Sequence, residues 1–246
     1  MSSIPSPALV PSSPLPLKIP TLAELEEMVR EPDQRVVIRD VDYAFYERLV
    51  DSIPGWRHIH VDFDGKDLEV MSPGIQHDGD RKLLGQFVEA IAQVLRIPYK
   101  SAGQTTWKRP EIARGLESDE SYYFQADKLD AVAASKARRS DDIADYPNPD
   151  LAIEVDISPS KVDRAGIYAA LGVPEVWRFE SDQLVIELLG DDGRYHPTAR
   201  SRFLPITSEQ VRRWVVDEDS ENESAWARRL RAWARAELTS PPSIRA

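Results

Sequence analysis

Stretches of helical and of strand periodicity alternate along the chain. Thr21-Leu22-Ala23-Glu24 has the spacing of a capping box, and Leu22, Leu25, Met28 and Val29 share one face. A helix is therefore expected there, followed by Pro32. Val36-Val37-Ile38 reads as a short strand, and a second helix is expected over 42–53, closed by Pro54-Gly55. Residues 58–73, HIHVDFDGKDLEVMSP, alternate or run apolar around Asp64-Gly65, which predicts a β-hairpin. The clearest helical pattern is 77–95. There Leu83, Leu84, Phe87, Val88, Ile91, Val94 and Leu95 recur every three or four residues.

Residues 99–109 and 121–124 read as strands, and the polar, Ala-rich stretch 126–148 as an irregular or partly helical excursion. Leu151 to Ile157 is short, partly β-branched and bounded by Pro149 and Pro159, as a central strand should be. A helix over 162–171 ends at Gly172, a C-cap signal. Strands follow at 175–179 and 184–189, and Asp191-Asp192-Gly193 turns the chain toward Tyr195. The remainder reads as helical. A helix covers 208–216, an acidic hinge covers 217–223, and SAWARRLRAWARAEL follows. In that last helix Trp226, Leu230 and Trp233 share a face, while Arg228, Arg229, Arg231 and Arg235 spread over the rest. Two Trp at helical spacing favour burial against the helix's own domain. The order of elements predicts an α/β fold with a mixed sheet flanked by helices, preceded by a β-hairpin and followed by C-terminal helices. Residues 1–19 form a flexible Pro/Ser-rich leader, 20–216 the folded domain, and 217–246 the hinge and terminal helix.

Composition narrows the function classes. A chain that is 41% hydrophobic and 30% charged is that of a soluble globular protein. No run approaches ~18 apolar residues, so no membrane span is expected and a cytoplasmic location is the default. The absence of cysteine excludes disulfides, Cys-ligated zinc, iron–sulfur clusters and thiol catalysis. With four histidines, His58, His60, His77 and His196, a multi-histidine metal site is not expected. A net charge of −11 argues against non-specific coating of nucleic acid, though not against a local basic groove.

The acid is concentrated. Glu111 to Asp163 carries 13 Asp and Glu against six Lys and Arg, a net of −7. Within it Asp150, Glu154 and Asp156 fall at even positions of one strand and share a face, opposite Leu151, Ile153, Val155 and Ile157. Three like charges on an otherwise apolar strand call for neutralisation by protons or a cation. A hard divalent ion with oxygen ligands, Mg²⁺ or Mn²⁺, is the simplest. Solvated strand ends at Asp150 and Asp156 are the other reading. Asp119, at the start of a neighbouring strand, could join Glu154 to hold such an ion against a phosphodiester. His77 opens the long helix beside Asp78 and Asp80, where a local hydrogen bond is the simpler expectation. Gln104, Thr106 and Lys108 share a strand face that could line a nucleic-acid groove.

Four stretches together carry a family resemblance. They are GKDLEVMSP (65–73) with His77, RGLESDESYY (114–123), PDLAIEVDIS (149–158) and IYAALGVPEVWR (167–178). In this order they span about residues 35–215, and the chain resembles the Uma-type family of restriction-endonuclease-like proteins. That resemblance implies a PD-(D/E)xK nuclease core, DNA as substrate and a divalent metal. It places Asp119 at the motif's first Asp, with Ser118 where Pro is usual, and Glu154 at the second acid. The motif lysine is missing, because position 156 is Asp. Arg164, or Lys161 as the nearest lysine, would meet the phosphate from the following helix, while Asp156 and Asp150 would supplement the metal shell. Arginine stays protonated, so it can stabilise phosphate charge but cannot act as a base. The reading is a Mg²⁺-dependent endonuclease. A non-catalytic descendant that binds nucleic acid or a protein partner is the alternative. A homodimer is expected, since two-fold pairs suit cutting both strands.

Overall fold

The computed structural model describes residues 18–54, 59–218 and 220–238. Most of the Pro/Ser-rich leader, Gly55 of the second helix stop, His58 and one position of the hinge lie outside these residues. Two sheets organise the rest. The first is antiparallel and five-stranded, in the order β1 (Arg35–Ile38), β3 (Leu68–Met71), β2 (His60–Phe63), β6 (Arg114–Ser118), β5 (Thr105–Arg109). The second is mixed, in the order β11 (Tyr195–Thr198), β10 (Gln183–Leu189), β9 (Glu175–Glu180), β8 (Leu151–Asp156), β7 (Glu120–Tyr123), β4 (Lys100–Ser101). Its one parallel pair, β8 with β9, is bridged by α5 (Arg164–Leu171). A parallel neighbour needs such a crossover.

The helices begin where the sequence signals them. Thr21 and Glu24 form the capping box of α1 (Leu22–Met28), and Asp42 accepts the Phe45 N–H to start α2 (Tyr43–Ser52). Both cover the first sheet, where Leu25, Phe45, Tyr46, Leu49, Phe63, Leu68 and Val70 pack together. The long helix α3 (Ile75–Leu95) buries Leu84, Phe87, Val88 and Ile91 on the second sheet against Ile153, Val155 and Trp177. The chain then runs through α6 (Ser208–Arg212) and a π-helical turn, Arg213–Asp217, to α7 (Glu223–Glu237). Trp226, Leu230 and Ala234 of α7 join that same core, with Trp214 edge-on to Trp226. The Trp face therefore covers the chain's own domain. No helix of the described residues is long and apolar enough to cross a membrane.

The structure corrects two local expectations. Residues 99–109 are not one strand. Gly103 adopts φ +63°, the left-handed region, and the chain breaks there into β4 and β5, which enter different sheets. Residues 114–118, not expected as a strand, form β6 and pair with β5 along its whole length. The stretch 126–148 is partly helical, as expected, with α4 (Ala126–Ala137) at its start.

Gly115 explains how α2 sits so close to the first sheet. A Cβ at this position would strike the Tyr46 ring and hydroxyl. Gly115→Ala is expected to lower stability by about 1–3 kcal/mol through overpacking, read from the urea unfolding midpoint.

Candidate active site

The shortest crossing of the chain between the two sheets is a single residue. β6 ends at Ser118 in the first sheet and β7 begins at Glu120 in the second, so Asp119 alone links them. The crossing buries it to 1% exposure. Asp119 Oδ2 accepts the Val155 N–H at 2.7 Å, which ties the link to β8. Oδ1 has no hydrogen-bond partner. It faces His77 Nε2 at 3.3 Å, from the first turn of α3, and His60 Nδ1 at 3.6 Å, from β2. Neither nitrogen has a hydrogen-bond partner, and the two rings meet edge-on at 5.9 Å.

Carboxylates from both sheets surround this link. Glu154 lies on β8 and accepts hydrogen bonds from Arg164 and Tyr168, one on each oxygen. Those two donors lie four residues apart on α5, hence on one helix face. Asp156 Oδ1 accepts from Arg35 at 2.6 Å and from Arg164 at 3.1 Å. Asp62 on β2 accepts the Glu117 N–H at 3.1 Å and lies 3.2 Å from Arg164 Nε. Its cross-strand partner Glu69 accepts from Arg35 at 2.6 Å, the Lys161 N–H at 2.6 Å and the Ser160 hydroxyl at 3.0 Å. Six buried or half-buried carboxylates (Asp62, Glu69, Glu117, Asp119, Glu154, Asp156) thus face two guanidinium groups.

The electrostatics follow from that imbalance. Burial, reinforced by the charges of Asp119 and Asp156, pushes Glu154 well above the usual carboxylate range. Burial also raises Asp156 to about 6 despite Arg35, and raises Glu117 to about 7 with help from Asp62. Asp62 is raised by burial against the pull of Arg164. Asp119 goes the other way. Burial opposes its charge most, but His77, His60 and Arg164 together outweigh it and hold the carboxyl at about 2. Burial lowers His60 to about 4.

The structure brings together Asp119, Glu154, Asp156 and Arg164, all four expected from the sequence. It separates Asp150 and redirects Lys161. Asp150 lies at the far end of β8, where its carboxylate accepts the Phe124 N–H, the Gln125 N–H and the Gln125 side chain, with Lys128 at 2.8 Å. Its oxygens are used at the entry to α4, so it does not supplement a metal shell. Lys161 uses its ammonium group on the Arg35 carbonyl, at 3.2 Å, rather than on the carboxylates. His77, expected to make a local hydrogen bond, instead reaches Asp119. Of the strand face 104–108, Gln104 touches His60 and Thr106 donates to Glu117, while Lys108 pairs with Asp51. Asp62, Glu69, Arg35 and His60 were not singled out from the sequence. The signal for the two acids was present, since each is a carboxylate inside a short apolar strand, as in β8.

Charge and ligand type suit a divalent ion here, and Asp119 Oδ1 is an unused buried oxygen. Among the described residues no group of three or more His, Asp or Glu has the spacing to hold a metal ion. Both oxygens of Glu154 are engaged.

Comparison with known proteins finds a matching family model and similar solved structures. The Uma2 family model, described as "Putative restriction endonuclease", matches residues 43–211. A solved structure from Anabaena variabilis, titled "a putative nuclease belonging to DUF820", aligns with a TM-score of 0.45 and 12% identity. The alignment covers 72% of this chain and 99% of that one. No curated protein matches.

Asp150 gives a prediction about stability. Burial opposes its charge, yet the hydrogen bonds it accepts lower its pKa in the folded protein. A carboxylate lowered on folding stabilises above its unfolded pKa of ~3.9 and loses that contribution as pH falls. Asp150→Asn is expected to cost about 2–3 kcal/mol at pH 7 in urea unfolding. The gap from wild type should narrow below about pH 4.

Proposed function

Because the chain belongs to the Uma2 family, we propose that it is a divalent-metal-dependent nuclease that hydrolyses phosphodiester bonds in DNA. The observation that carries this reading is the surplus of buried carboxylate around Asp119, where the two sheets join. A structural role alone would favour apolar packing at such a place, because buried ion pairs rarely outperform it. When bound, Mg²⁺ or Mn²⁺ would polarise a phosphoryl oxygen and make a bound water more acidic.

The chain's own residues supply the rest. The Val155 N–H fixes Asp119 so that Oδ1 points at the cluster. Glu154 and Asp156, two apart on β8, add carboxylates from the same strand. Position 156 lacks the motif lysine, and the cation comes instead from Arg164 on α5. Its guanidinium can stabilise charge on a phosphate but does not take a proton at neutral pH.

A second reading, a nuclease-fold protein that binds nucleic acid or a partner without cutting, is favoured by one observation. Arg164 is engaged with Glu154 and Asp156, the acids a nuclease would use.

Supercoiled plasmid with Mg²⁺ or Mn²⁺ separates the two. Nicking by wild type is expected, reduced on the order of 100-fold or more by Asp119→Ala and by Glu154→Ala. If the pure wild type leaves plasmid, linear and single-stranded DNA intact with either metal, the hydrolase reading fails. Salt-dependent DNA binding that survives both substitutions would then support the binding module.

A further inference from the structure

Arg164 occupies an unusual place. It is the first residue of α5, where the positive end of the helix dipole disfavours a cation. Its side chain is nevertheless 6% exposed and inserted among acids from two sheets. Nη2 donates to Glu154, Nη1 to Asp156 at 3.1 Å, and Nε lies 3.2 Å from Asp62. One side chain thus touches three carboxylates, a spread that a divalent ion would also seek. Beside it Asp119 Oδ1 and His77 Nε2 face each other at 3.3 Å, buried and paired by charge without a hydrogen bond, so the carboxylate keeps a lone pair that an ion can take. Tyr168, on the same face of α5, holds the second oxygen of Glu154.

We propose that Arg164 is an internal counter-ion that closes the acid cluster, and that a divalent cation binds there only by displacing its guanidinium from Glu154 and Asp156. The inference rests on the nuclease reading for the identity of the site, and adds how that site is kept shut. α5 is the element that moves the latch. Its first turn follows residues 157–163, which belong to no helix or strand. Arg35 has a different part. Its Nη1 and Nη2 bind Glu69 and Asp156, and its Nε donates to the Ser158 carbonyl and hydroxyl. It braces this segment and has no contact with Glu154. The ion takes over the charge that Arg164 neutralised, and the freed guanidinium becomes available to a phosphate.

Calorimetric titration of the full chain with Mn²⁺ tests this. Arg164→Ala is expected to bind Mn²⁺ about tenfold or more tightly than wild type, because the competing cation is gone. Adding Asp119→Asn to that variant should abolish the gain, which places the ion in this cluster. If Arg164→Ala is folded by circular dichroism and binds no more tightly than wild type, the proposal is overturned. Removing one partner of a buried pair can unfold a protein, so a second measurement uses wild type. Arginine side-chain NMR during a Mg²⁺ titration should show the Arg164 Nε–H resonance move and saturate together with ion binding. Binding that leaves this resonance unmoved overturns the proposal as well. Failure here is distinct from failure of the nuclease reading. Plasmid cleavage by a wild type whose Arg164→Ala form binds no tighter sinks the latch alone. Tighter binding with no cleavage by either form sinks the nuclease and leaves the latch.

Discussion

Two sheets whose shortest crossing is one buried residue must solve a desolvation problem at that point. Asp119 occupies that point, and the hydrogen bond from the Val155 N–H is what makes its burial tolerable. The neighbouring features answer to the same constraint. His77 stabilises the Asp119 charge, and Arg35 and Arg164 are drawn inward by the remaining acids. α5 is oriented so that Arg164 and Tyr168 both reach Glu154.

The legible part of the fold was the part set by local pattern. The capping box at Thr21, the apolar stripe of α3, the hairpin around Asp64-Gly65 and the crossover unit β8–α5–β9 all follow periodicity or cap chemistry. The break at Gly103 was not legible. A single glycine inside a strand-like run is compatible with a bulge, and only tertiary pairing sends its two sides into different sheets. β6 was missed because RGLES has one apolar side chain among charged and small residues, while its membership in a sheet depends on β5 and β2 on either side.

The site divides in the same way. Glu154 and Asp156 were visible because they interrupt an apolar strand, and Arg164 because a family motif pointed to its helix. Asp150 obeyed the same alternation and was misplaced. The rule gives the face of a residue and not the end of the sheet at which it lies, and at the far end backbone N–H groups of the entry to α4 claimed it. Asp62 and Glu69 share a cross-strand position in the hairpin, yet their meeting with Asp156 through Arg35 and Arg164 joins residues more than eighty apart in the chain. No short-range pattern encodes that meeting.

The one-residue link has a mechanical consequence. Asp119 is its only residue and the Val155 N–H ties it to β8, so the link has no slack of its own. The carboxylates of β8 are therefore held by the sheet, and what can swing aside is a side chain of α5. Tyr168, one turn further along that helix, keeps the other oxygen of Glu154 engaged when Arg164 leaves.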